Sequence, residues 1–284
     1  MADDYDLPKG SLMAGKKGVV MGLADHRSVA YGISQQLAAQ GAELAISFIE
    51  PNERRARPLA ESLGALPIVA DVADDASMDS LFEQVGTKFG AIDFLVHSLA
   101  FADRSQLKGS FVDNTTRDGF HLAMDISVFS FVDAARRAAL LMPNGGSILT
   151  MTFLGAERAI PNYNMMGVAK AALEASVRYA ARDLGPKGIR VNAISAGALR
   201  TLSLAGIAGG RAMVAQGRML SALKEDTSME GVAGCALWLA SELGRSTTGE
   251  VIHVDAGFHM MGLPSEEDAA DPPLEGRGVN PRSG

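Results

Sequence analysis

The feature that most constrains this chain is an alternation. Seven short apolar runs, at 17–21, 43–48, 67–70, 92–97, 147–153, 189–194 and 250–254, are separated by stretches of helical character. The first of these runs is apolar on consecutive residues, as in a strand covered on both faces. Strands that alternate with helices pair in parallel, because the helix carries the chain back to the starting edge. The pattern predicts one α/β domain over residues 15–263, a single-domain, Rossmann-like, doubly wound parallel sheet of about seven strands. Residues 1–14 read as a loose tail. Residues 264–284 hold four prolines, several charges and little apolar content, and are expected to be disordered.

Composition narrows the class. A hydrophobic content of 47% supplies an ample core, yet no stretch approaches the ~20 apolar residues of a membrane span. A net charge of −7 and a pI near 5.3 argue against a general nucleic-acid binder. Cys235 stands alone, which rules out an intrachain disulfide and fits a reducing compartment. The opening MADDYDLPKG is acidic and has no apolar core of a secretory leader. A cytoplasmic protein is expected, and no metal is called for.

In an open parallel sheet, ligands bind where strands end and helices begin. The first such junction is GLADHRSVAYGI, in which Gly22, Ser28 and Val29 precede the helix expected at 30–40. Small residues there let phosphate approach backbone N–H groups, although the segment lacks the GxGxxG spacing and also reads as a plain connecting loop. The second junction runs Phe48-Ile49-Glu50-Pro51. Glu50 could bind ribose hydroxyls, and Arg54 and Arg55 could meet a 2′-phosphate. The reading leans to NADH and leaves NADPH open. Asp71, before Val72, could accept from an adenine amino group or cap the next helix, a role for which Asp74 competes. After the fourth run come His97, Ser98, Leu99 and Ala102. His97 reads as structural rather than as an acid or base. Residues 103–117 form a polar excursion over the site, and an apolar helix is expected at 118–142.

The central stretch is GGSILTMTFLGAERAIPNYNMMGVAK, residues 145–170. It opens as a buried strand, crosses a loop with Gly155 and Pro161, and enters a helix expected to carry both Tyr163 and Lys170. Seven residues are about two helical turns, so both side chains share a face. An ammonium beside a phenol favours phenolate character and improves hydrogen-bond donation to a developing oxyanion. Further on, Gly197 lies in a turn that leads to Leu199 and Thr201. The helix expected at 202–223 is rich in Ala, Gly and Met. Interior glycines weaken such a helix by roughly 1 kcal/mol each, which suits a substrate lid near 199–223.

Three segments, FLGAERAIPNYNMMGVAKAALEA, SAGALRTL and TGEVIHVDAGF, together with the Tyr-x6-Lys spacing, resemble the NADH-dependent enoyl-[acyl-carrier-protein] reductases. These are a divergent branch of the short-chain dehydrogenase/reductases, and the resemblance spans roughly residues 10–262. It implies a homotetramer that reduces trans-2-enoyl thioesters carried on acyl carrier protein. It implies cofactor contacts at Gly22, Ser28, Val29, Ile49, Asp71, Val72, Ser98, Leu99, Gly197, Leu199 and Thr201, and ribose contact by Lys170. Ala102, Phe153 and Tyr163 would meet the substrate, with Tyr163 on the thioester oxygen. The chain departs from the family at three places. Phe153 stands where a second Tyr is usual, Ile49 where Gln is common, and the lid's basic cluster is thinned to Arg211 and Arg218. Those departures leave room for a reductase acting on another enone or carbonyl compound. A non-catalytic NAD(H)-binding protein is disfavoured, because such a protein needs neither Tyr163 nor Lys170.

Overall fold

The computed structural model describes residues 7–263. The seven strands are β1 (Lys17–Met21), β2 (Glu43–Phe48), β3 (Leu66–Val69), β4 (Phe94–His97), β5 (Gly146–Thr152), β6 (Ile189–Ala196) and β7 (Val251–Val254). They form one sheet in the order β3-β2-β1-β4-β5-β6-β7, with every neighbouring pair parallel. The chain winds outward from β1 to β3, then returns to β4 on the other side of β1. The crevice between the carboxyl ends of β1 and β4 is therefore the switch point at which such sheets bind ligands.

Both faces are covered, which explains the unbroken apolar runs. Val19 and Met21 of β1 pack into one cluster with α3 (Asp75–Phe89), α6 (Ser130–Leu140) and α7 (Asn164–Leu184). Val20, between them, packs into the other with α1 (Val29–Ala39), α2 (Glu53–Ser62) and α10 (Met229–Ala240). This is the two-residue period of a pleated strand with a core on each side.

Several expectations need correction. The segment preceding β1 is not loose. Gln36 of α1 and Gln40 at its C-cap both donate to the Pro8 carbonyl, at 3.0 and 2.7 Å, and Met13 is fully buried. The expected disorder of 264–284 lies outside the described residues, as do residues 1–6. The helix expected at 118–142 is α5 (Arg117–Met124) running through a π turn, Asp125–Phe129, into α6. The excursion before it holds a short helix, α4 (Phe111–Asn114). The lid is not one helix: α8 (Leu202–Ala205) and α9 (Gly210–Leu220) are separated by Gly206-Ile207-Ala208-Gly209, where two glycines favour a break.

Candidate active site

At the switch point lies a cavity of about 600 Å³. Its first wall is the β1–α1 loop. Gly22 has φ +99°, and a Cβ there would stand 2.3 Å from the Ser98 carbonyl oxygen. Glycine at this position is what lets the loops after β1 and β4 lie against each other. Ser28 occupies the N-cap of α1 but does not cap it. Its hydroxyl instead accepts from the N–H groups of Ala24 and Asp25, at 3.0 and 2.8 Å. The first turn of α1 also has no acidic residue. A helix N-terminus with neither a side-chain cap nor a carboxylate suits a diphosphate. That is the fit expected of a dinucleotide.

The second wall is the loop after β4, which is held from behind. Ser127, in the π turn, both accepts from the Phe101 N–H and donates to the Phe101 carbonyl, each at 3.0 Å. Inserted turns of this kind often stand beside functional sites. His97 is fully buried, with Nδ1 3.1 Å from Thr150 Oγ1 and Nε2 2.9 Å from Ser130 Oγ. Burial, together with the charge of Lys170, lowers its pKa to about 3. A neutral ring with both nitrogens engaged is a structural histidine.

The floor comes from β5 and α7. Phe153 follows the last residue of β5, and its ring meets that of Tyr163 edge to face at 4.9 Å between centroids. Tyr163 does not lie inside the helix as expected. It is the N-cap of α7, which begins at Asn164. Both of its neighbours have positive φ, Asn162 at 62° and Asn164 at 29°, and Asn tolerates this region better than most residues. Their side chains reach outward in two directions. Asn162 Nδ2 donates to the Ala208 carbonyl of the lid at 2.9 Å, and Asn164 Nδ2 donates to the Gly109 carbonyl of the excursion at 3.1 Å. Gly155 packs under the Tyr163 ring, where a Cβ would fall 2.4 Å from Cδ1.

Lys170 is 6% exposed, and its Nζ donates to the Met151 carbonyl at 2.8 Å. Burial lowers its pKa to about 8, against the raising effect of Glu174. The phenol keeps the donor role expected of it, but burial rather than the ammonium dominates its surroundings. Burial, and then the negative charge of Glu174, push the Tyr163 pKa well above its ordinary value. Tyr163 therefore stays protonated, and the site offers a neutral O–H donor rather than a phenolate.

The cavity gathers Gly22, Ser28, Val29, Ser98, Leu99, Ala102, Phe153, Tyr163, Lys170, Gly197, Leu199 and Thr201 on one surface. It does not gather Ile49, Asp71 or Val72. Ile49 is 42% exposed beyond β2, and Asp71 is exposed beyond β3, on the same edge of the sheet. Asp74, not Asp71, caps α3, accepting from the Ala76 N–H at 2.9 Å; the Asp71 carboxylate accepts from the Ala73 N–H at 3.0 Å. Sequence reasoning missed Thr152 and Glu174. Thr152 Oγ1 donates to Glu174 Oε1 at 2.7 Å, directly behind the floor. The available signal was an acid four residues after Lys170, on the buried stripe of a helix.

Known proteins resemble this chain over most of its length. A family model described as enoyl-(acyl carrier protein) reductase matches residues 22–259. Enoyl-[acyl-carrier-protein] reductase [NADH] 1 of Rhizobium meliloti is 50% identical over 254 residues, covering 89% of this chain and 93% of that protein. The Bacillus cereus enzyme is 48% identical over 88% of this chain and 99% of its own length. Among solved structures, the Anaplasma phagocytophilum reductase in complex with NAD superposes with a TM-score of 0.87 at 46% identity, covering 92% of this chain and 98% of that one. The Bacillus cereus reductase with NADP+ and an indole naphthyridinone also gives 0.87, at 47% identity, covering 89% of this chain and all of that one.

Proposed function

This chain belongs to the enoyl-(acyl carrier protein) reductase family, and from that premise we propose that it reduces the trans-2 double bond of an enoyl thioester on acyl carrier protein, using NADH, in fatty-acid elongation. The observation that carries the reading is one cavity joining an uncapped helix N-terminus to a buried Tyr163 and a buried Lys170.

When bound, NADH would supply a hydride to the β-carbon of the enoyl group, and a proton taken up at the α-carbon would complete the saturated product. The protein's part follows from its own residues. The first turn of α1 receives the diphosphate, and Gly22 keeps the adjoining loop close to it. Lys170, held by the Met151 carbonyl, has N–H donors left for the ribose hydroxyls. Tyr163, kept protonated by burial, donates to the thioester oxygen as negative charge develops there. In comparable sites one such donor is worth roughly 3–4 kcal/mol. Leu99, Met166, Ile207 and Met213 line the rest of the cavity and exclude water.

Three finer points belong to the same proposal. Phe120, Leu122, Phe129, Val132 and Leu140, on the stretch from α5 to α6, are between 38% and 76% exposed, and so is Tyr179 of α7. An apolar face of that kind supports a homotetramer, and a monomer by light scattering would contradict it. Docking of an acidic carrier would fall to exposed Arg211, because Arg200 and Arg218 lie 3.3 and 3.9 Å from Asp226. A cytoplasmic location fits the free Cys235 and the lack, among the described residues, of any helix long and apolar enough to cross a membrane.

The test is the loss of absorbance at ~340 nm with NADH, then NADPH, on a trans-2-enoyl thioester. Oxidation of NADH at ordinary enzyme rates, near 10 s⁻¹ in order of magnitude, is expected. A folded protein that binds NADH and leaves the thioester untouched would overturn the reading. Phe153→Tyr is expected to raise turnover on the same substrate, because it adds a hydroxyl at the cavity wall.

A further inference from the structure

Behind Tyr163 and Lys170 lies a group of polar side chains that the reaction as described does not use. Glu174 is 8% exposed and sits one helical turn beyond Lys170 on the buried side of α7. Its Oε1 accepts from Thr152 Oγ1 at 2.7 Å, while Lys170 Nζ donates to the carbonyl of Met151, the preceding residue of the same strand. Two consecutive residues at the end of β5 thus hold two side chains spaced i, i+4 on α7. The two side chains form no ion pair within 4 Å, so the carboxylate acts on the ammonium through space, where the exclusion of water lengthens the reach of a charge.

We propose that Glu174, seated by Thr152, is a positioning residue that serves as the counter-charge of Lys170 and keeps its ammonium in place for the cofactor ribose. The inference rests on the proposed reading of the site and assigns Glu174 no contact with substrate. Its energetic logic is simple. Burial alone drives Lys170 toward the neutral amine, and Glu174 opposes this; without the carboxylate, Lys170 would titrate below its present value of about 8. Other charged groups face the pair. Glu157 beyond β5, His253 on β7 and Arg178 on α7 act on Glu174, and Lys170 in turn acts on His97 of β4. Burial, the larger effect, raises the Glu174 pKa; the Thr152 hydrogen bond is the largest of the effects that favour the carboxylate, ahead of His253 and Arg178, and it also fixes where the carboxylate sits.

The experiment uses the full chain and two readouts between pH 6 and 10: NADH affinity by fluorescence titration, and kcat/KM on an enoyl thioester. Glu174→Gln retains the shape and the acceptor for Thr152 but removes the charge. The alkaline loss of NADH affinity and the alkaline limb of kcat/KM are both expected to move down by about one pH unit or more. Glu174→Asp, which keeps the charge, should leave both near their wild-type positions. Thr152→Val should move them in the same direction as Glu174→Gln by a smaller amount, and it serves if Glu174→Gln does not fold. Loss of rate in Glu174→Gln with unmoved pH profiles, or equal shifts in Glu174→Gln and Glu174→Asp, would overturn the proposal. A wild-type protein that fails to reduce the thioester would sink the functional reading instead, while the NADH titration would still decide the role of Glu174.

Discussion

The floor and the roof of the cavity are built to opposite specifications. On the floor, Tyr163, Lys170 and Glu174 are each less than 10% exposed, and hydrogen bonds tie Lys170 and Glu174 to neighbouring residues of β5. Above them, α8 and α9 are short helices broken by a glycine-containing link, and only Gly210 and Val214 of α9 are buried. The contrast separates two needs. Donors to a developing charge act only if they are already in place. A cover must admit a substrate and then shut out water, so it is drawn from the less stable end of the structure.

The sharpest way to break the contrast is at the floor. Tyr163→Phe should lower kcat by about 10²–10³ while NADH titration stays near wild type, because it removes one donor and no packing. Gly155→Ala should come next. Its new methyl must displace the Tyr163 ring, and misplacement of a catalytic group by about 1 Å costs on the order of 10²-fold in rate. Steady-state kinetics on both variants would rank them.

His97 gives the floor a pH signature. The folded protein resists protonating it until about pH 3, whereas its ordinary value is 6.5. The unfolded chain therefore takes up that proton first as pH falls. Stability is full above about pH 6.5 and is lost toward pH 3, at up to about 1.4 kcal/mol per unit. Denaturant unfolding of His97→Gln between pH 6 and 4 should show a correspondingly flatter slope. The smallest effect belongs to the roof. Gly217→Ala, inside α9 with nothing within 4 Å of the new Cβ, should stabilise that helix by roughly 0.5–1 kcal/mol. Slower amide exchange over residues 210–220 would register it.

The same contrast governs what the sequence discloses. Strands and most cavity residues were legible because they follow short-range rules: apolar runs, small residues at strand ends and a fixed Tyr–Lys spacing. The structural role of His97 was legible as well, from its place at the end of a buried run. What escaped depended on distant partners. Nothing local announces that Gln36 and Gln40 fasten Pro8, or that Thr152 reaches across 22 residues of chain to Glu174. The donor role of Tyr163 was legible from its spacing to Lys170, but the strength of its hold on the proton was not. Spacing reports the neighbouring ammonium, but only the folded surroundings report the burial and the Glu174 charge that outweigh it. The broken lid shows the limit of propensity, since a glycine-rich segment announces weakness without saying where it will divide.

The two asparagines that flank Tyr163 have a mechanical consequence. One is fastened to the lid at Ala208 and the other to the excursion at Gly109, so the peptide units on either side of the phenol are anchored in the two flaps above the cavity. Lifting either flap pulls on a backbone already held in an uncommon conformation. Changes made in either segment are therefore expected to alter KM and kcat together, which steady-state kinetics would check.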